Sequence, residues 1–314
     1  MHTIESVTGR QTFAAEMRDV YGAHGCRDLE SGATASTSPV RIHTLGRFYI
    51  EVNSEVLHAS GKAKHRPLAL LKALIALGGR DIACSQAWEC LWPDSEGDLG
   101  SRNLTITLHR LRQMLPMQAA VLQQGGKLTL NDRVFRVDAW DFERMVNDGL
   151  RRLEQPIAGK APELQLRSAL ELYAGDFLIR ESEESWMLAT RLRLKSKFER
   201  VISALSLHLE RQDRFADAID LCRQALERDP LNEFLYRRLM SCYLKQGEFA
   251  GAMGTYLRCR EALAKGLYAP ISSETERLHL EASRAAAACG ITQPPKLVPV
   301  LMVRPQTQQR YSVA

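Results

Sequence analysis

"SRNLTITLHRLRQMLP", residues 101–116, combines a regular apolar stripe with charges of a single sign. At about 100° per residue, its leucines fall on one face of a helix. These leucines are Leu104, Leu108, Leu111 and Leu115. No Asp or Glu lies between Leu99 and Pro116, so the other face is polar and basic. The pattern predicts a helix that is buried along one side. A solvated surface helix that is basic by chance would show the same pattern, so the surrounding sequence must decide.

The residues before this stretch carry strand signals followed by a helix signal. "VRIHTLGRFYIEV" (40–52) and "EVLHA" (55–59) are rich in β-branched and aromatic residues around the polar "NSE", which predicts a hairpin. "RPLALLKALIALGG" (66–79) predicts a helix with Pro67 in its first turn and with the Gly78-Gly79 pair at its end.

A short helix and an acidic loop come next. "SQAWECLWP" (85–93) predicts a helix with Ser85 as its N-cap and Pro93 as its stop. "DSEGD" (94–98) forms an acidic loop that leads into the basic helix. Beyond that helix, "AVLQQGGKLTLNDRVFRVD" (120–138) predicts short strands around Gly125-Gly126, a hairpin signal.

Strands, three helices with a basic third one, and a closing hairpin follow the order of a winged helix. This fold is a helix-turn-helix variant whose third helix enters the major groove, with the hairpin wing beside it. The N-terminal strands indicate the OmpR-like subtype, an α+β domain that we place at residues 39–139. Residues 1–38 end within the Ser/Thr/Gly/Ala-rich "LESGATASTSPV" (29–40) and are predicted to form a flexible arm.

Residues 140–288 are predicted to be all-α and to repeat. A shift of 34 residues, the tetratricopeptide period, superimposes small and apolar residues on one another. The aligned pairs are Ile202 with Tyr236, Leu205 with Leu239, Leu209 with Tyr243, Phe215 with Phe249, Ala218 with Ala252, Cys222 with Tyr256, and Ala225 with Cys259. "FADAIDLCRQALERDP" (215–230) fits the second helix of such a repeat, with Pro230 closing the unit. Stacked helix pairs expose surfaces that bind other chains. Residues 289–314 form a Pro-rich tail.

Composition is that of a soluble globular protein of two domains: 314 residues, 45% hydrophobic, 25% charged, net charge +5. The seven cysteines contain no C-x-x-C pair, which indicates reduced thiols that act mostly as small core residues. No run of 18 apolar residues and no signal peptide occurs, so we expect a cytoplasmic protein without a membrane partner.

The chain resembles bacterial transcriptional activators of the SARP type, in which an OmpR-like winged helix precedes a bacterial transcriptional activator domain (BTAD). The resemblance spans residues 40–285. It rests on "LGRFYIEVNSEVLHASGKAKHRPLALLKALIA" (45–76), "LWPDSEGDLGSRNLTITLHRLRQML" (91–115), "GGKLTLNDRVFRVDAWDFERM" (125–145), "ALELYAGDFL" (169–178) and "FADAIDLCRQALERDPLNEFLYRRLMSCYLKQGEFAGAMGTYLRCREAL" (215–263). The arm and the tail have no assigned counterpart, and His109 stands where Ser or Arg is common.

The resemblance implies double-stranded promoter DNA as the partner of the basic helix. Since Arg can bind guanine, Gln can bind adenine and Ile can contact the thymine methyl group, the exposed face holds the candidate base contacts. These candidates are Arg102, Thr105, Ile106, His109 and Gln113. The candidate phosphate contacts, which position the protein without selecting sequence, are Lys62, Lys64, Arg66, Arg110, Arg112, Gln124 and Lys127. For Gln124 and Lys127, at the hairpin, a solvated tip fits equally well.

The resemblance also implies an activator that binds direct repeats as a homodimer and recruits RNA polymerase. The candidate polymerase contacts are the loop carboxylates Asp94, Glu96 and Asp98. For Asp98 a role near the N-terminus of the third helix is equally plausible, because negative charge is favoured there. No P-loop, no H-E-x-x-H and no paired Cys/His spacing occurs, so we predict no enzyme activity, no cofactor and no metal. The alternative function is a helical-repeat scaffold whose winged helix contacts proteins.

Overall fold

The computed structural model describes residues 40–53, 55–57, 62–115, 117–154, 162–181 and 184–290. Residues 1–38, the predicted arm, and residues 291–314 of the predicted tail lie outside the described part. The described chain divides into two compact units, one carrying the strands and the other helical.

Seven short strands and three helices form the first unit, within the described residues. The strands are β1 (Val40–His43), β2 (Tyr49–Val52), β3 (Glu55–Val56), β4 (Ile82–Ala83), β5 (Val121–Gln124), β6 (Lys127–Leu130) and β7 (Phe135–Val137). The helices are α1 (Lys62–Ala76), α2 (Cys84–Leu91) and α3 (Gly97–Met114), and a 3-10 turn spans Gln118–Ala120.

The strands form two small sheets. One has the order β3-β2-β1-β7, with β2 and β3 antiparallel as the sequence predicts and with β1 and β7 parallel. The other has the order β4-β6-β5, in which both neighbouring pairs are antiparallel. The parallel pairing of Val40 with Phe135 joins the two ends of this unit and was not predicted.

The β5–β6 hairpin follows its sequence signal. Gln124 pairs with Lys127 across the two-residue turn formed by Gly125 and Gly126, whose φ angles are 56° and 72°. Positive φ at both central residues defines a type I′ turn, which glycine adopts without steric cost and which matches the twist of the strands. The predicted hairpin is therefore confirmed.

The helix boundaries correct three details of the sequence analysis. Helix α1 begins at Lys62, so Pro67 lies inside the helix and not in its first turn; its end before Gly78 and Gly79 (φ 93° and 75°) is as predicted. Ser85 lies inside α2, whose N-cap is Ala83 without a side-chain cap bond. Helix α3 begins earlier than the quoted stretch, at Gly97.

The second unit is helical. Its helices are α4 (Asp138–Glu154), α5 (Pro162–Leu172), α6 (Ser185–Glu210), α7 (Phe215–Arg228), α8 (Glu233–Gln246), α9 (Phe249–Gly266) and α10 (Ser273–Ala288). Three aromatic rings pack together in the first part of this unit. The Tyr173 ring stacks on the Phe198 ring, with centroids 4.3 Å apart, and its centroid lies 5.2 Å from that of Phe142. The expected fold class, mainly α with an N-terminal α+β unit, is confirmed.

The 34-residue repeat is present in three dimensions. Phe215 and Phe249 are the first residues of α7 and α9, and both are half-buried. The other aligned pairs are buried on both sides, as for Leu205 with Leu239 and Ala218 with Ala252. Small residues at the latter position let neighbouring helices approach closely.

A buried carboxylate ties two helices of the repeat together. Glu210 at the end of α6 accepts hydrogen bonds from Arg238 of α8 and, at 2.5 Å, from Lys245. The Arg238 Nε atom also donates to the Ser206 hydroxyl at 2.5 Å. A buried charge is tolerated when it is paired and hydrogen-bonded in this way.

The division between the two units lies at the start of α4. It falls at Val137 and Asp138, and the six-residue segment His43–Phe48 belongs to the helical unit. The Asp138 carboxylate accepts the Thr44 backbone N–H at 2.8 Å, its hydroxyl at 2.6 Å and the Leu45 N–H at 3.0 Å. The acid at the start of α4 thus holds a strand-derived segment within the helical unit.

The cysteines of the described part are unpaired, and those of the repeat are the most buried. Burial raises the pKa of the Cys259 thiol to about 12, which keeps it protonated at neutral pH. Cys222 and Cys242 are also buried, Cys84 and Cys90 are half-buried, and Cys289 is exposed. Among the helices described, none has the length and apolar character that crossing a membrane requires.

Candidate nucleic-acid interface

The apolar stripe of α3 lies in the core of the first unit, as predicted. Leu104, Leu108, Leu111 and Leu115 are all buried, the most exposed of them at 6%. Near its start, α3 approaches α2 closely at Gly100, where an added Cβ would lie 2.5 Å from the Trp88 ring. The leucines and this close approach fix which face of α3 remains at the surface.

The opposite face of α3 is exposed and carries the predicted base contacts. Ile106 is 44% exposed, which is unusual for a large apolar side chain on an otherwise polar face. The other exposed residues of the face are Arg102, Thr105, His109, Arg110 and Gln113. The structure adds Ser101, one turn before Thr105, which the sequence analysis omitted although the i, i+4 spacing indicates it.

Two side-chain hydrogen bonds organise this face. The Thr105 hydroxyl donates to the Ser101 carbonyl oxygen at 3.0 Å, so its proton is engaged within the helix. One turn further, the Gln113 Nε2 atom lies 3.0 Å from the His109 Nε2 atom. Thr105 and Gln113 both remain exposed residues.

Arg112 has an internal partner, in contrast to Arg110. Its Nε and Nη2 atoms donate to the Val121 carbonyl oxygen at 3.0 and 2.8 Å. The half-buried guanidinium therefore links the end of α3 to the first strand of the hairpin. Arg110, two residues earlier, is exposed and makes no bond to a described residue.

The predicted phosphate contacts before α3 are only partly described. The Arg66 Nη1 atom donates to the Leu91 carbonyl oxygen at 3.0 Å, and its guanidinium lies 5.8 Å from the centroid of the Trp92 ring. These contacts hold Arg66 against the end of α2. Lys62 and Lys64 are at the start of α1, and their side chains lie outside the described part.

The hairpin tip offers polar side chains on exposed backbone. Gln124 and Lys127 flank the turn and are both exposed. Leu122, on the same strand as Gln124, is 46% exposed. The tip thus presents a cation and an amide, which are groups that contact phosphate and sugar in DNA complexes.

The acidic residues between α2 and α3 are exposed. Asp94 and Glu96 precede the helix, and Asp98 lies in its first turn. Asp98 therefore belongs to α3 and not to the loop in which the sequence analysis placed it. None of the three forms an ion pair with a described residue, so their charge is available at the surface.

Comparisons with known proteins concern mainly the helical unit. Residues 137–282 match the sequence model of the family described as "Bacterial transcriptional activator domain". A search of the curated proteins found no match. A solved structure, "Mycobacterium tuberculosis EmbR in complex with low affinity phosphopeptide", is similar in fold, with a TM-score of 0.56 and 16% sequence identity. The similarity covers 78% of this chain and 65% of that one, so it extends beyond the helical unit, and this chain spans about two thirds of EmbR.

Proposed function

We propose that this chain is a transcriptional regulator of the SARP type, which activates transcription by binding double-stranded promoter DNA in the cytoplasm. One observation carries the DNA contact: the exposed face of α3 bears arginines, a histidine and an amide, and no acid from Ser101 to Leu115. Because the leucines on the other side are buried, this face is fixed at the surface. A basic helix beside a basic hairpin tip has the composition of a winged-helix DNA contact.

The polar side chains of this surface would divide into phosphate contacts and base contacts. Arg110 and Lys127 are exposed cations that suit phosphate oxygens, which attract charge irrespective of sequence. Arg102 and Gln113 suit base edges, because a guanidinium fits guanine and an amide fits adenine in the major groove. Ile106, which lies between these two residues in the sequence, would contact a thymine methyl group.

Gel-shift titrations test the proposal, with DNA from the region upstream of the gene that encodes this chain. We expect a steep loss of affinity with salt, because each phosphate contact releases counterions. Arg102→Ala should weaken preference for the cognate site by about 1–3 kcal/mol, whereas Lys64→Ala should weaken cognate and random DNA alike. An unchanged ratio of cognate to random affinity in Arg102→Ala would reject the assignment of the base-contacting face. Absence of DNA binding would favour the alternative, a helical-repeat scaffold.

Activation would use the acidic residues before α3. Asp94 and Glu96 are repelled by phosphate, so they suit a basic surface of RNA polymerase held beside the promoter. Exposed charges of this kind increase the association rate and orient the two proteins more than they increase the affinity. In a purified transcription system, the double variant Asp94→Ala/Glu96→Ala should retain DNA affinity and melting temperature and lose activation. Full activation by this variant would contradict the polymerase contact.

The DNA complex is proposed to hold two protomers on direct repeats. Half-sites would be separated by about one helical turn or a multiple of it, so that both copies lie on one face of the duplex. Footprinting should then show two protected segments, with two chains bound per duplex at saturation. One protected half-site with a 1:1 complex would contradict this arrangement.

A further inference from the structure

The contact between His109 and Gln113 constrains both side chains. The atoms in contact are the two Nε2 atoms, 3.0 Å apart, on consecutive turns of the exposed face of α3. The amide nitrogen of glutamine only donates hydrogen bonds, so the ring nitrogen that faces it must be the acceptor. This arrangement requires neutral His109 with its proton on Nδ1.

The same contact determines what Gln113 presents to a ligand. One of its two amide protons is directed to His109, which leaves the second proton and the whole Oε1 atom available. A donor and an acceptor side by side match the N7 acceptor and the N6 amino group of adenine in the major groove. Without the histidine, the amide could rotate by half a turn and exchange the places of its donor and acceptor.

We infer that His109 is a positioning residue, which orients the Gln113 amide for adenine instead of contacting a base pair itself. The inference rests on the proposed DNA binding and changes the role that the sequence analysis gives to His109. A hydrogen bond at the surface contributes modestly, so removing it should reduce the preference for adenine by about two- to tenfold and not abolish it.

The first test concerns the protein without DNA. Long-range 1H–15N spectra of the full chain labelled with [15N]histidine give the protonation state of each ring nitrogen. The set of signals that is missing from the spectrum of His109→Gln belongs to His109. We expect a protonated Nδ1 and an unprotonated Nε2 at pH 8, with a shift toward the Nε2–H tautomer in Gln113→Ala. A protonated Nε2 in the wild-type protein would mean that the amide has the opposite orientation and would overturn the inference.

The second test uses substitutions that differ in hydrogen-bonding capacity at position 109. Selection from random duplexes defines the preferred site, and Gln113→Ala identifies the base pair that Gln113 contacts. His109→Gln retains an acceptor, His109→Ala removes it, and His109→Lys supplies only donors. The preference for adenine at that base pair should fall in this order, with His109→Gln close to the wild type. Because position 109 is exposed, all three variants should keep the wild-type melting temperature.

Three results would count against the inference, each for a different reason. If His109→Ala lost preference at another base pair and kept it at the Gln113 base pair, His109 would contact a base directly. If the preference were equal in all three variants, His109 would not orient the amide. If the wild-type chain bound DNA but selected no sequence, the proposed base contacts of α3 would fail, and the inference with them. If it bound no DNA, the proposed function itself would fail.

Discussion

Replacement of Arg112 by Met should destabilise the hairpin without removing a phosphate contact. The side chain donates twice to the Val121 carbonyl oxygen, at 3.0 and 2.8 Å, and Val121 is 1% exposed. Methionine keeps most of the aliphatic stem and removes both donors. A hydrogen bond from a charged group contributes about 1.5–3 kcal/mol, and the two donors share one acceptor, so we expect a loss of about 2 kcal/mol.

The assay should report on the strand that Arg112 holds. Hydrogen exchange followed by mass spectrometry on the full chain gives the opening free energy of the peptide that contains β5. Urea denaturation of the same protein gives the change in global stability, and DNA titrations at several salt concentrations give the number of phosphate contacts. Arg112→Met should increase exchange in β5 and leave the salt slope unchanged.

Arg110→Met is the matched control, because Arg110 lies on the same helix, is exposed and makes no bond to a described residue. If Arg110 contacts a phosphate, its loss should reduce the salt slope by about one and change stability by less than about 0.5 kcal/mol. The opposite pattern, a reduced salt slope and unchanged β5 exchange in Arg112→Met, would refute the structural role. It would restore Arg112 as the phosphate contact that the sequence predicts.

Two further substitutions test the helical unit. Asp138→Ala should lower the free energy of unfolding by about 3 kcal/mol, because the buried donors of Thr44 and Leu45 lose their acceptor. Asp138→Asn should lower the free energy of unfolding by less. Equal urea midpoints for the wild type and the alanine variant would contradict this prediction. Burial lowers the pKa of His279, whose buried Nδ1 atom makes no hydrogen bond to a described residue, so the folded state favours the neutral ring. The contribution of His279 to the free energy of unfolding should therefore be fully present above the ordinary histidine pKa of about 6.5 and be lost as the pH falls through the lowered pKa. His279→Gln should flatten this part of the pH profile of stability. An identical decline in that variant between pH 7.5 and pH 5 would show that other groups cause it.

The features that the sequence predicted correctly depend on local patterns. The stripe of α3, the Gly125-Gly126 turn and the 34-residue repeat each involve neighbouring turns or a fixed period, and burial follows directly from them. The exposure of Ile106 also follows, because the position of the leucines around the helix determines which residues point away from the core. Periodicity was sufficient for these features since each is decided within a few turns of chain.

The features that the sequence did not predict depend on distant partners. Val40 pairs with Phe135, and Thr44 bonds to Asp138, at a separation of 94 residues. The composition of residues 40–52 predicts strands, but it contains no information on which strand lies beside them or which unit takes the segment His43–Phe48. Such pairings are decided by packing across the whole unit and not by local propensity.

The basic face of α3 shows why a count of charges would overestimate the proposed DNA interface. A guanidinium contributes fully to counterion release only when its donors are available to phosphate, and Arg112 directs two of them to Val121. Arg102 and Arg110 are exposed and have no bond to a described residue, so the cationic groups of this helix that suit DNA are these two. His109 does not add to them, because its Nε2 atom faces the Gln113 amide. Specificity on this face would therefore depend on side chains that hold one another, which helical spacing alone does not reveal.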